Sequence, residues 1–490
     1  MIQGKILANV QGRLGRIAVD MAYQESLGDI SVSVSLSGFD SNTFDDIVPE
    51  VFLQDLTFTD LSSTLSYRYS LKTGEHAADL KGTLYNADVT QSAYWNAPLL
   101  FPKLVFEGEL KGTKFTIKEL ETSVQGIPMS ISTTGIIDKK SDQIHLETHV
   151  TIREIPFKDL AKVWPKGAAD SAREWITEGV SPKSSLIMKS HFDFSAQKTS
   201  FTLDNLSGVI EVQNAVLSYV ETMPKISKLM AIANFDEEHF DIKIKGGKTH
   251  GLNIYSGEIF IGKFSDETPH LALEVNIVGD LGDVLSLIDH KPLEYAKSYG
   301  LNPKTSTGKT HANLKMKFPL LSPFDANKIE TVVSAKVNDA TLKDLADLNV
   351  ILSKGKLDIE VGPDQVSVKG QALLNDEDSH LTLTHQAKTN TLDLKIQTQV
   401  TPLSLSKFWH EAGVFFKGSA PLNLHYQSDK KQQSTLSLDL NLKDTEVNTL
   451  VYKKDFGIPG TLLIDGRYEQ GALRYIYPLP MKVPYSNKTL

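Results

Sequence analysis

The sequence contains no cysteine among its 490 residues. Disulfide staples, thiolate metal sites and cysteine nucleophiles are therefore excluded. No apolar run reaches the roughly 18 residues that a membrane-crossing helix requires. The opening residues, Met1 to Ile6, lack the long apolar core of a signal peptide. Lys and Arg are nowhere dense enough to make a basic face, and the formal net charge is −9. That balance argues against nucleic acid and against electrostatic adhesion to anionic headgroups.

Catalytic and metal-binding patterns are also missing. Gly308-Lys309-Thr310 has the tail of a phosphate-binding loop, but Pro303 stands where that loop requires glycine. The helical pattern precedes it and a strand pattern follows, the reverse of the required order. His145 and His149 lie four apart on an alternating strand, which separates them by about 13 Å at roughly 3.3 Å per residue. One ion with bonds of about 2.1 Å cannot join them. The acidic groups Asp45-Asp46, Asp236 to Glu238 and Asp376 to Asp378 sit in turn-like stretches and read as solubilising charges. No Gly-x-Ser-x-Gly occurs. No enzyme activity, cofactor or metal is expected, and Trp164 with Trp175 reads as a packing anchor.

What the chain has in abundance is strict alternation. Leu271, Leu273, Val275 and Ile277 alternate with Ala272, Glu274 and Asn276. Ile242 and Ile244, Leu357 and Ile359, Leu392 and Leu394, and Leu436 and Leu438 repeat the habit. Period-two patterning means strands with one apolar face, and turn signals between them imply roughly 25–30 hairpin-connected strands. Helical pattern is sparse: Phe157 to Thr177, Leu281 to Tyr299, Leu403 to Ala412 and a short piece at Thr43 to Val48.

The chain also repeats. Leu80 to Pro98 aligns without a gap on Leu206 to Pro224, 126 residues later. A strand turning into a helix recurs with helix starts at Phe157, Leu281 and Leu403, steps of 124 and 122. Such a period implies supersecondary units that bury their apolar faces by stacking, in one continuous elongated body. The division expected is the end of a partial repeat at 1–79, units at 80–205, 206–329 and 330–433, and the start of a truncated unit at 434–490. Both ends fall inside units, as in a segment of a longer protein.

Nearly every strand has an apolar face, yet about four short helices are available to cover them. Either two sheets close into a sandwich, making a scaffold or adhesive stalk, or the faces line a groove. Val163-Trp-Pro-Lys-Gly to Arg173-Glu-Trp-Ile-Thr-Glu-Gly179 resembles a segment of AsmA-like proteins of the YhdP type. Gly279 to Pro303, Leu314 to Pro319 and Leu217 to Pro224 are similar to the same family, and the resemblance runs from about residue 30 to 450. The landmark at Lys407 to Gly413 is truncated, and the family's amino-terminal membrane anchor is not in this sequence. The resemblance implies a mostly β, elongated, twisted antiparallel groove in the periplasm of a Gram-negative envelope, anchored to the inner membrane in the full-length protein. It implies that phospholipid passes along the groove between inner and outer membranes, in support of outer-membrane homeostasis. Phospholipids and the two membranes are then the partners. The expected groove-lining residues are the alternating apolar ones: Ile242, Ile244, Leu271, Leu273, Val275, Ile277, Leu357, Ile359, Leu392, Leu394, Leu436 and Leu438. Glu274 lies on the opposite face, and Glu274→Lys is expected to be nearly silent for both fold and lipid passage.

Overall fold

The computed structural model describes residues 5–12, 15–24, 27–44, 56–90, 98–138, 140–141, 143–164, 180–181, 184–197, 200–218, 222–262, 268–291, 294–298, 300–320, 328–343, 350–406, 412–429, 433–449, 453–469 and 472–478. The fold is mostly β, antiparallel, with a few short helices. In chain order the strands begin with β1 Lys5–Gly12, β2 Gly15–Gln24, β3 Asp29–Phe39, β4 Leu56–Thr57, β5 Asp60–Ser70, β6 His76–Val89, β7 Leu99–Lys111 and β8 Lys114–Val124. They continue with β9 Ile127–Asp138, β10 Gln143–Pro156, β11 Ser185–Gln197, β12 Ser200–Leu217, β13 Ile226–Asp236, β14 His239–Thr249, β15 Leu252–Gly262 and β16 His270–Asp280. The remainder are β17 Thr307–Pro319, β18 Glu330–Leu342, β19 Leu352–Val361, β20 Gln365–Leu374, β21 Glu377–Gln386, β22 Thr391–Val400, β23 Phe416–Gly418 and β24 Ala420–Ser428. Last come β25 Gln433–Asn441, β26 Thr445–Asn448, β27 Lys453–Lys454, β28 Thr461–Glu469 and β29 Ala472–Pro478.

The helices stand where the strand-to-helix landmarks predict them. Phe157–Val163 follows β10, Leu281–Ile288 follows β16 and Pro402–Ser406 follows β22. These three strands are six apart. Ser41–Phe44 follows β3. The helical pattern expected at Ala168 to Ile176, with Trp175, lies outside the described residues, as do Asp45 and Asp46. Residues 303–305 form a 3-10 turn leading into β17, so Lys309 and Thr310 sit in a strand, as the inverted order of the loop motif implies.

The chain divides into two compact units, one of Met1–Ser218, Ser227–Lys245 and Ile259–His270, the other of Tyr219–Ile226, Gly246–Glu258 and Leu271–Leu490. In the first, β1, β2, β3, β5 and then β6 to β12 pair antiparallel in chain order. In the second, β17 to β22, β24, β25, β28 and β29 do the same. A small sheet of β23, β26 and β27 sits within the second unit.

Tight hairpins set the register. Gln125 and Gly126 link β8 to β9 with φ of 51 and 79. Asn375 and Asp376 link β20 to β21 with φ of 49 and 74. Two consecutive positive φ values make the turn whose twist matches the strands it joins. Register fixes which face each side chain takes, because a slip of one residue would invert the whole strand.

Each unit has its dry core along one edge of its strands. In the first, Phe39 at the end of β3, Leu61 at the start of β5, Val124 at the end of β8 and Ile127 at the start of β9 are buried. Ile152, near the end of β10, and Leu186, at the start of β11, continue that edge, and the helix Phe157–Val163 adds Phe157 and Leu160 to it. The Trp164 ring stacks on Phe240 at 6.0 Å between centroids, which supports its reading as a packing anchor. In the second unit Leu281 and Leu285 of one helix and Ala296 of Tyr295–Ser298 pack on Val337, Ala340, Leu352, Leu357 and Ala372. Bulges beside this cluster place Asp339 and Lys354 at φ of 56 and 51 and bend the strands there.

Candidate functional site

Strand pairing aligns the alternating apolar residues into continuous rows. In the second unit Leu357 of β19 lies opposite Gly370, Gly370 opposite Leu381, and Leu381 opposite Ile396. Ile396 lies opposite Leu424, which lies opposite Leu438, which lies opposite Ile464. A second row, two residues along, runs Ala335, Ile359, Val368, Leu383, Leu394, Tyr426 and Leu436. A third begins Val361 and Val366 and then becomes more polar, through His385, Leu392, Ser428 and Ser434. The face is therefore apolar at the helix-covered edge and increasingly polar away from it.

The opposite face carries the charges. Lys336 and Asp358 are paired at 3.4 Å. Asp393 accepts hydrogen bonds at Oδ2 from Gln427 at 2.7 Å and from His425 at 3.0 Å. These two bonds, Gln427's first, hold the Asp393 carboxyl below its ordinary range. Asn313 donates to Glu274 at 2.8 Å and to Asn276 at 2.9 Å, so β16 turns Glu274 and Asn276 to this polar face. Leu271, Leu273, Val275 and Ile277 then point to the apolar face. Glu274 also pairs with Lys315 at 3.2 Å, and these partners, Asn313's bond first, lower its pKa. Glu274 is thus a partnered residue.

All twelve residues singled out from the alternation lie in strands, ten of them on this one face of the second unit. They are not equally covered. Leu271, Val275, Ile277 and Leu357 are buried. Leu273, Ile359, Leu392, Leu394, Leu436 and Leu438 are half-buried. In the first unit Ile244 is buried and Ile242 half-buried. A side chain in a row is shielded on both flanks by neighbours about 5 Å away. Flank contact alone leaves its outer end uncovered, and full burial needs something laid on top. The helix cluster supplies that cover for Val337 and Leu357, and its outermost partly buried members in these rows are Ile359 and Leu381.

The first unit has the same division. Val34, Leu65 and Leu80 form one row, and Met21, Val32, Tyr67, Ala78, Leu110, Phe115, Gly135, Leu146, Phe194 and Leu203 another. Leu65 and Leu80 are each 39% exposed and Tyr67 36%. Phe115 lies over Gly135, where an added Cβ would collide with the ring. Large apolar side chains thus remain open to the surroundings along the edge away from the helices.

The alternation marked these faces but missed one polar arrangement. His149 of β10 is directly opposite His191 of β11, 42 residues on, and their rings lie 4.6 Å apart. Sequence spacing shows only that His145 and His149 are too far apart on one strand.

The chain matches the family model described as YhdP protein over residues 161–455, more than half its length. No curated protein matches it. No described helix is long and apolar enough to cross a membrane.

Proposed function

Since this chain belongs to the YhdP family, whose ties are to lipid transport, we propose that its apolar strand faces bind phospholipid acyl chains and let them move along the sheet without chemical change. The observation that carries this reading is the graded cover of the face. Val337 and Leu357 are sealed in the buried cluster that the helix residues Leu281 and Leu285 join, while Leu394 and Leu436, on the same face, keep one side uncovered. Acyl chains placed there leave water, which favours binding by about 0.8 kcal/mol per buried CH₂. The contacts are non-directional and similar from strand to strand, so a chain can pass from one row to the next without a deep trap. Headgroups stay at the more polar edge, near His385 and Ser428, where water reaches them. Transport takes place in the periplasm between the inner and outer membranes of a Gram-negative envelope, and the strand-helix repeats are its building blocks.

Native mass spectrometry of the purified chain tests this. Co-purified diacyl phospholipid, lost on delipidation and regained from vesicles, is the expected result. A lipid-free protein that takes up none on incubation would favour faces closed against each other in a passive scaffold.

A further inference from the structure

We propose that the polar face of the first unit carries a divalent transition-metal site built from His149, His191 and Glu147. It lies on the face opposite the apolar rows and is independent of the lipid reading.

The site arises from strand register. β10 and β11 pair so that His149 faces His191 and Glu147 faces Asp193. Directly opposed residues have Cβ atoms about 5 Å apart, close enough for both imidazoles to reach one ion. The two Nδ1 atoms are 3.3 Å apart. Two ligands on a tetrahedral ion with bonds of about 2.05 Å are separated by about 3.3 Å, so these nitrogens already stand at ligand-to-ligand distance.

Carboxylates lie beside the outer nitrogens of both rings. His191 directs Nε2 at the Asp193 carboxylate, 3.1 Å away, and His149 directs Nε2 at Glu147, 3.4 Å away. Asp193 beside the His191 Nε2 favours the tautomer with the proton on that nitrogen and the lone pair on Nδ1, the atom offered to the metal. The two Nδ1 atoms are within hydrogen-bonding distance of each other, so without an ion one ring donates to the other, and an ion placed between them takes over that contact. One ligand atom from each of Glu147, His149 and His191 lies within 4.8 Å of the other two. Glu147 is well exposed, so a rotamer change can take it from the His149 Nε2 to the ion. Water takes the fourth position. Two imidazoles and a carboxylate suit zinc, nickel or copper rather than calcium or magnesium, which prefer all-oxygen shells.

The competing reading is a pair of stacked surface histidines with acidic neighbours and no ion. Zn²⁺ titration of the dialysed full chain against a chromophoric chelator separates the two. One equivalent bound with micromolar or tighter affinity is expected, weakened at least tenfold by His149→Ala and by His191→Ala. His145→Ala, on the same strand face but bonded to Ser195, should leave the affinity unchanged. Affinity equal in the wild type and the His149→Ala/His191→Ala double variant would overturn the site. Cu²⁺ bound to the wild type gives a second readout that needs no variant. Electron paramagnetic resonance should show coupling to two imidazole nitrogens, and a spectrum with none would overturn the proposal.

Discussion

Val337 and Leu357 face each other across β18 and β19, 1% and 5% exposed, while one residue along the same strands Asn338 and Lys356 face each other in the open on the other side of the sheet. That single step between neighbouring residues separates the covered apolar face from the charged one. It also sets the scale for substitutions, because the cost depends on how much cover lies above each position.

Leu357→Asp should unfold the second unit or destabilise it by several kcal/mol, since the charge would sit with no partner in the buried cluster that includes Leu281 and Leu285. Leu436→Asp, half-buried on the same face, should cost roughly 1 kcal/mol because its carboxylate can reach water at the uncovered side. Denaturant unfolding of both variants checks the contrast. Equal losses at the two positions would mean that the face is sealed along its whole length.

The cover itself depends on a cap. Asp280 accepts hydrogen bonds from the backbone N–H of Gly282 at 2.9 Å and of Gly308 at 3.2 Å. It thereby stabilises the start of the helix and ties it to the beginning of β17. Asp280→Ala should cost about 1–2 kcal/mol, and Asp280→Asn, which keeps an acceptor, clearly less. The measurement is again the unfolding midpoint, with the two variants compared side by side.

Acid sensitivity should appear at Asp393. Its folded pKa is depressed by the bonds from Gln427 and His425. The stabilisation is therefore present above the unfolded aspartate value, about 3.9, and is lost as pH falls through the lower folded value. Carboxyl titration by nuclear magnetic resonance should place Asp393 below an unpaired aspartate. Gln427→Leu should move it upward, and an unmoved titration would show that Gln427 is not the main cause.

Glu274→Lys should be measurably harmful, since it sets a second ammonium beside Lys315 and breaks the bond from Asn313. The pair is exposed, so the loss should be modest, about 0.5–1 kcal/mol. Glu274→Gln should retain most of the stability, because the amide oxygen still accepts from Asn313. Melting temperatures of the two variants, ordered the other way, would contradict this.

The sequence discloses strands and faces well, for a physical reason. Residues two apart share a side of a strand, so Leu436, Leu438 and Leu440 announce an apolar face without any partner in view. Helix starts at Phe157 and Leu281 are equally plain, because the apolar spacing changes period there. What alternation cannot disclose is depth. Leu357 and Leu394 look alike in sequence, yet only the first belongs to the buried cluster that includes helix residues. Nor can spacing disclose pairs created by register. His149 meets His191, and Glu274 meets Asn313, only because particular strands pair in particular alignments.

Photocrosslinking from the two faces of one strand tests the central claim most directly. Leu436 lies on the apolar face of β25 and Ser437, its neighbour, on the polar face. A photoreactive residue at each position, irradiated in the presence of phospholipid vesicles, should give a lipid adduct at 436 and little or none at 437. No adduct at 436 from a folded protein, or equal adducts at both positions, would contradict an apolar face that carries lipid.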